Sequence, residues 1–110
     1  MSVRKDMLNG HSICHGGFIF TLADSAFAFA CNSYNQVTVA ARAAIDFLAP
    51  AQLGDVLIAI AEERALSSRT GVYDITVSNQ DGVRIALFRG NSHRIRGEVV
   101  PQPNNKEENS

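Results

Sequence analysis

The chain has 110 residues, of which 45% are hydrophobic and 19% charged, and its formal net charge is -1. This length fits one domain, and the near-neutral charge excludes the basic surface on which non-specific nucleic-acid binding depends. No apolar run reaches the roughly 18 residues that a membrane-spanning helix needs, and the polar segment Met1 to Met7 is unlike a signal peptide. We therefore expect a cytoplasmic protein that binds neither nucleic acid nor a membrane.

A polar loop with two adjacent glycines comes first in chain order, Asn9-Gly10-His11-Ser12-Ile13-Cys14-His15-Gly16-Gly17. Glycines before a helix let the backbone turn and leave the first helical N–H groups open to a polarised carbonyl oxygen. Donors of this kind form the oxyanion site of many hydrolases. The alternative interpretation is a tight turn without a chemical role.

A helix is predicted from Gly17 to Asn32, because apolar residues recur there at helical spacing and no proline interrupts them. Asp24 is the one charged residue in this segment. A carboxylate is rarely buried without a partner, so Asp24 faces solvent, accepts hydrogen bonds from the structure, or lines a cavity where chemistry uses it.

Gly17 and Asp24 are seven residues apart, which corresponds to about 10 Å along a helix at roughly 1.5 Å per residue. One substrate carbonyl group cannot touch both. If both belong to one reaction centre, the helix start of one subunit must meet the aspartate of another. An enzyme of this kind would be an obligate oligomer with its site across a dimer interface.

After the helix, the sequence predicts strands separated by turn signals such as Pro50, Gly54-Asp55 and Asn79 to Gly82. The predicted strands are Val37–Leu48, Val56–Leu66, Gly71–Ser78 and Val83–Ile95. One helix followed by strands of this kind indicates an α+β fold with an antiparallel sheet. We expect a single domain over residues 1–98 and a disordered tail over 99–110, where prolines, asparagines and charges dominate.

Cys14 and Cys31 are the only cysteines, and two residues do not make the dense framework of a small secreted domain. We expect both to be reduced thiols. His11, Cys14 and His15 carry side chains that can bind metals, but their spacing matches no standard zinc pattern. The sequence therefore predicts neither a metal nor a cofactor.

Several motifs, in order, resemble the hotdog-fold acyl-CoA thioesterases, and among these the phenylacetic-acid-degradation thioesterase family. They are Asn9-Gly10-His11, Cys14-His15-Gly16-Gly17, Leu22-Ala23-Asp24, Ala30-Cys31-Asn32, Ile45-Asp46-Phe47-Leu48 with Pro50, Gly71-Val72-Tyr73-Asp74-Ile75 and Ala86-Leu87-Phe88-Arg89-Gly90. The resemblance covers roughly residues 7–97. It implies a long helix wrapped by a curved antiparallel sheet, with the N-terminal strand of the relatives lacking. It also implies a homodimer or homotetramer whose paired subunits share a continuous sheet.

The resemblance further implies hydrolysis of phenylacetyl-CoA or hydroxyphenylacetyl-CoA. Asp24 matches the family's catalytic carboxylate, which acts as nucleophile or as general base for water. Gly17, together with Gly16, matches the N–H donor that polarises the thioester carbonyl, and Asn9 matches the side chain that positions the attacking group. His15 either exchanges a proton or only hydrogen-bonds its loop. The alternative function is a non-catalytic module that binds acyl-CoA.

The substrate-binding candidates are basic or lie at a strand junction. Arg89, His93, Arg94 and Arg96 could neutralise the phosphates of coenzyme A, or could form the wet face of an edge strand. Gly71 and the preceding residues 67–70 match the junction where the family holds the nucleotide or pantetheine. The chain departs from some relatives by having alanine at positions 40 and 41, where they have a serine or threonine that assists the catalytic water.

Overall fold

The computed structural model describes residues 1–32 and 38–95. Its elements are a short 3₁₀ helix (Lys5–Met7), helix α1 (Gly16–Cys31) and strands β1 (Thr38–Phe47), β2 (Ile58–Leu66), β3 (Thr70–Ser78) and β4 (Arg84–Arg94). The α+β class is confirmed, and the described boundaries differ from the predicted ones by at most two residues. The predicted strand start at residue 37 and the boundary at residue 98 lie outside the described residues. Within the described part of the chain, no helix has the length and apolarity to cross a bilayer.

The strands form one antiparallel sheet in the order β1-β4-β3-β2, so that β1 and β2 are its edges. The turn between β3 and β4 forms as predicted. Asn79 Oδ1 accepts hydrogen bonds from the backbone N–H groups of Asp81 and Val83, both at 3.0 Å. Gly82 has a φ of 79°, a conformation that favours glycine.

The core lies between α1 and the inner face of the sheet. Every fourth residue of the helix is buried: Ile19, Ala23, Phe27 and Cys31. The Phe27 ring packs against Tyr73 of β3 and Phe88 of β4, with centroid distances of 5.9 and 5.7 Å. A Cβ at Gly90 would lie 2.7 Å from the Phe27 ring, so glycine is required for this close approach of helix and sheet.

The first residues of the chain connect the sheet to the start of the helix. The backbone of Met1 exchanges two hydrogen bonds of 2.7 Å with Leu57, and Val3 N–H donates to Asp55. Further along, His15 N–H donates to the carbonyl of Met7 at 2.8 Å. Residues 1–15 therefore fix the position at which α1 begins.

Both cysteines are free and buried. Burial raises the pKa of the Cys14 thiol, because the low-dielectric surroundings disfavour the thiolate. Both residues remain thiols, as predicted.

An ion-pair cluster lies on the outward face of the sheet and is centred on Asp74. The Arg89 guanidinium makes two contacts with this carboxylate, at 2.6 and 2.8 Å, and Arg64 Nε adds a third at 2.9 Å. The hydrogen bond from Arg89, supported by Arg64, lowers the pKa of Asp74 from 3.8 to about 2. The ionised carboxylate therefore stabilises the fold above its ordinary pKa, and this contribution is lost as the pH falls towards 2.

We expect the folding stability of Asp74→Asn to depend less on pH in the acid range than that of the wild type. At neutral pH its melting temperature should fall by a few degrees at most, since both arginines are largely solvent-exposed. Between about pH 4 and pH 2 the variant should lose less stability than the wild type. Thermal unfolding followed by circular dichroism across this range tests the prediction, with Asp46→Asn as the control. Equal acid slopes in wild type and Asp74→Asn would contradict it.

Candidate active site

The Asn9 loop is organised by the Asn9 side chain. Its Oδ1 accepts hydrogen bonds from the backbone N–H groups of His11 and Ile13, at 2.8 and 3.4 Å. The loop closes through Asn9 N–H to the Ile13 carbonyl at 2.8 Å, and Ser12 has a positive φ of 61°. Among the residues that the structure describes, the Asn9 Nδ2 group has no acceptor. The oxygen of the side chain thus holds the loop while its two N–H donors stay available to a ligand.

His15 is the N-cap of α1, and its side chain decides which donors remain open at the helix start. Its Nδ1 accepts the N–H of Gly17 at 3.0 Å. Gly17 N–H, the carbonyl-polarising donor expected first from the sequence, is therefore occupied. Within residues 1–32 and 38–95, the N–H of Gly16 has no acceptor. Of the two glycine N–H groups, that of Gly16 is therefore the one open to a ligand.

Gly16 lies directly against β1. A Cβ at this position would come within 3.1 to 3.6 Å of three atoms of the Phe47 ring. Phe47 is 54% exposed, so its ring covers Gly16 on one side and faces open space on the other. The open N–H donor is therefore bordered by an aromatic surface.

Asp24 lies on the same flank of α1 as Gly16. Gly16, Phe20 and Asp24 are each four residues apart and form one row on the helix. The first contacts Phe47 of β1 and the second packs edge-on against Phe88 of β4, at a centroid distance of 5.5 Å. The row thus runs along the β1 side of the molecule.

The Asp24 carboxylate is half-buried, and no side chain or backbone group of the described residues is bonded to it. Asp24 follows Gly16 by eight residues, which corresponds to about 12 Å along the helix. A carbonyl group on the Gly16 N–H therefore lies out of reach of Asp24 in the same chain.

β1 is an exposed edge. All of its residues except Thr38 and Ile45 are solvent-exposed, including Val39 at 45% and Phe47 at 54%. An apolar edge strand with unpaired backbone groups is a surface on which a second strand pairs readily. Gly16 lies against this edge strand, and the helical row places Asp24 on the same flank of α1.

The basic candidates separate according to the two faces of β4. Since side chains alternate along a strand, Arg89 and His93 share the outward face, opposite to Phe88, Gly90 and Ser92. The guanidinium of Arg89 is already paired with Asp74. A phosphate-binding role for Arg89 would require that pair to open. Arg96 lies outside the described residues.

Arg94 lies at a cleft of about 360 Å³ between the end of α1 and the loop that joins β2 to β3, and Gly71 lies against two of its lining residues, Tyr73 and Ser92. The cleft is rich in hydroxyl groups and has two guanidinium groups; its lining residues are Cys31, Thr38, Leu66, Ser67, Ser68, Arg69, Thr70, Tyr73, Ser92 and Arg94. Arg94 Nη1 donates to the Ser68 carbonyl at 3.4 Å. Such a cleft suits a phosphorylated ligand.

Ser92 is a member of this cleft that the sequence interpretation missed. It is 4% exposed, and its hydroxyl has no partner among the described residues. The available signal was the alternation of β4, which places Ser92 on the inward face. A Cβ at Gly71 would lie 2.8 Å from the Ser92 Oγ and 2.9 Å from the Tyr73 ring, so Gly71 shapes the cleft by its lack of a side chain.

Within the described residues, no three His, Cys, Asp or Glu side chains come together in a way that could hold a metal ion. His11, Cys14 and His15 are adjacent in sequence, but their polar atoms are turned to different partners. Cys14 Sγ donates to the carbonyl of His15 at 3.7 Å, and His15 Nδ1 accepts from Gly17.

Comparison with known proteins identifies close relatives of the chain. The family model of the thioesterase superfamily matches residues 11–86. The acyl-coenzyme A thioesterase PaaI of Escherichia coli (strain K12) is 54% identical over 100 residues, which are 91% of this chain and 71% of the relative.

Solved structures agree with the sequence comparison. The structure of the E. coli PaaI protein, from the phenylacetic acid degradation operon, superposes with a TM-score of 0.88 at 53% identity and covers 91% of this chain and 72% of that one. A hypothetical thioesterase protein of Streptococcus pneumoniae TIGR4, solved with coenzyme A, has a TM-score of 0.82 at 26% identity, with coverages of 86% and 74%. The hotdog arrangement of one helix against a curved antiparallel sheet is therefore confirmed.

Proposed function

Since the chain belongs to the thioesterase superfamily, we propose that it hydrolyses acyl-CoA thioesters, and in particular phenylacetyl-CoA or hydroxyphenylacetyl-CoA. One observation carries the proposal. An open N–H donor, Gly16, and a half-buried carboxylate without a partner, Asp24, lie on one helix flank that faces an exposed strand edge.

In the proposed reaction, the thioester carbonyl oxygen accepts a hydrogen bond from Gly16 N–H. This donor stabilises the charge that develops when the carbonyl carbon is attacked. Water supplies the new C–O bond, the C–S bond breaks, and coenzyme A leaves as a thiolate that takes up a proton. Thiolates are good leaving groups, so an aimed nucleophile and a fixed dipole suffice.

Asp24 supplies the attack in one of two ways. It accepts a proton from the attacking water, or it bonds to the acyl carbon and forms an anhydride that water then hydrolyses. Both routes need a carboxylate above one face of the carbonyl carbon, while the donor binds the carbonyl oxygen. The Nδ2 donors of Asn9, left open by its loop, are suited to orient the attacking group.

A dimer through the β1 edge would complete the site. The separation of Gly16 and Asp24 in one chain requires that the two come from different subunits, and both lie on the β1 side. Pairing of two β1 strands would extend the sheet and bring the two helix flanks together. A homodimer is then the smallest active unit, and a homotetramer would contain two such dimers.

The cleft with Arg69 and Arg94 is the proposed site for the phosphates of coenzyme A. Two arginines with the hydroxyls of residues 67, 68 and 70 provide charge-assisted hydrogen bonds. The S. pneumoniae relative was solved with coenzyme A, which supports binding of this ligand. For the acyl group, the ring of Phe47 beside Gly16 offers an apolar surface that suits an aryl substituent.

We expect thiol release from phenylacetyl-CoA by the purified wild type, followed with a thiol-reactive chromophore. Acetyl-CoA and palmitoyl-CoA, run in parallel, separate aryl preference from general thioesterase activity. Binding of acyl-CoA without release of thiol, in a folded sample, would contradict hydrolysis and establish a non-catalytic binding module instead. Equal rates with all three substrates would retain the reaction but contradict the aryl preference.

A further inference from the structure

We infer that His15 is a positioning residue whose neutral imidazole holds the first turn of α1 so that the Gly16 N–H points freely at the substrate. The inference rests on the proposed function. It goes beyond it by assigning His15 a role through the backbone and not through proton transfer, and it makes this role dependent on pH.

The side chain of His15 forms a hydrogen bond that depends on its protonation state. His15 Nδ1 accepts the Gly17 N–H at 3.0 Å, and His15 is the N-cap with φ -63° and ψ 133°. A ring nitrogen can accept only when it carries no proton, so the bond requires the neutral tautomer with its hydrogen on Nε2. The acceptor is thus present only while the imidazole is uncharged.

This hydrogen bond also restrains the neighbouring donor, Gly16. His15 is tied to the Met7 carbonyl through its own N–H at 2.8 Å, and its side chain fixes Gly17 on the other side of Gly16. Gly16 is therefore held between two fixed residues, and its N–H is the donor that neither bond uses. Without the cap, two consecutive glycines at a helix start have little to restrain them.

Protonation of His15 acts against this arrangement in two ways. An imidazolium cannot accept the Gly17 N–H, and its positive charge is unfavourable at a helix N-terminus. The first turn of α1 has no acidic residue that would offset this charge. The cap is thus present while the imidazole is neutral and is lost when the imidazole is protonated.

The charged and titratable groups near His15 are few. Those on the surrounding segments are Lys5 and Asp6 of the 3₁₀ helix, His11 and Cys14 of the loop, and Asp46 of β1, and none of them forms an ion pair with His15 among the described residues. In the proposed dimer, Asp24 of the other subunit also faces this helix start. The test must therefore separate the titration of His15 from that of Asp24.

Two variants make this separation. In His15→Asn, the side-chain oxygen is a good N-cap and the amide group does not titrate. In His15→Ala, the side chain provides no cap. We expect thiol release by the wild type to fall as the pH is lowered and the imidazole gains a proton. His15→Asn should lose this fall and retain a rate within about threefold of wild type at pH 7.5, and His15→Ala should be slowed at every pH by about threefold to thirtyfold.

Two kinetic results would overturn the inference. If His15→Asn is as slow as His15→Ala at pH 7.5, His15 transfers a proton and is catalytic. If His15→Asn keeps the wild-type acid limb, another group causes it. The contribution of Asp24 is common to all three proteins and cancels in the comparison.

A spectroscopic measurement decides on the cap even if no thiol is released. In substrate-free wild type, the amide resonance of Gly17 in a ¹H–¹⁵N spectrum should shift as His15 titrates, and it should not shift over the same range in His15→Asn. A Gly17 resonance that does not move in the wild type would overturn the inference whatever the outcome of the activity assay.

Discussion

Replacement of Asp24 by asparagine should reduce kcat/KM for acyl-CoA hydrolysis by about 10²- to 10⁴-fold, the range typical of a lost general base. Asparagine keeps the volume and one carbonyl oxygen of the side chain, but it can neither accept the proton of water nor form an anhydride. The carboxylate is half-buried and supports no hydrogen bond or ion pair of the described residues. Its loss should therefore leave the fold and the oligomer intact.

Initial rates with phenylacetyl-CoA test this prediction, together with the melting temperature and the mass of the particle in solution. Asp81→Asn is the matched control, because Asp81 is an exposed aspartate in the turn between β3 and β4. We expect it to retain the activity of the wild type. An active Asp24→Asn enzyme would remove the carboxylate from the mechanism.

Replacement of Gly16 by proline should remove the carbonyl-polarising donor while preserving the helix. Proline has no N–H, and it is favoured at the first position of a helix, which Gly16 occupies. His15 already has the extended backbone that a residue before proline requires, with φ -63° and ψ 133°. We expect kcat to fall by about 10²- to 10³-fold, as for the loss of one oxyanion donor.

Gly16→Ala is the matched control for this substitution. It introduces the same Cβ, which meets the exposed Phe47 ring at 3.1 Å, but it keeps the N–H. Its activity should fall by less than about tenfold. If alanine and proline cause equal losses, crowding against Phe47 explains both, and Gly16 is not the donor.

The two inactive variants together test whether the site is divided between subunits. In a mixed dimer of Asp24→Asn and Gly16→Pro, one site combines both altered residues and the other retains both native ones. After dissociation and reassociation at equal amounts, half of the dimers are mixed, so about one quarter of wild-type activity should return. No recovery in a sample proven to contain mixed dimers would place the whole site within one chain.

The sequence by itself determined the local elements and the types of reactive residue. The spacing of Ile19, Ala23 and Phe27 defined the helix because helical periodicity depends only on residue order, and the turn at residues 79–82 followed from local side-chain chemistry. Asp24 was a candidate functional residue because a carboxylate in an apolar helix is rarely buried without a partner. The motifs around the glycine pair were sufficient to identify the family.

Only the tertiary structure decided which donors and charges are free. Gly16 and Gly17 are equivalent in sequence, and the rotamer of His15, which closes one N–H and leaves the other open, distinguishes them. Arg89 and Arg94 belong to the same basic run, but strand register pairs the first with Asp74 and places the second at a cleft with the buried Ser92. The His15–Gly17 bond is local, but it depends on a side-chain rotamer that residue order does not fix. The partner of Arg89 is distant in the chain and is defined only when the sheet is assembled.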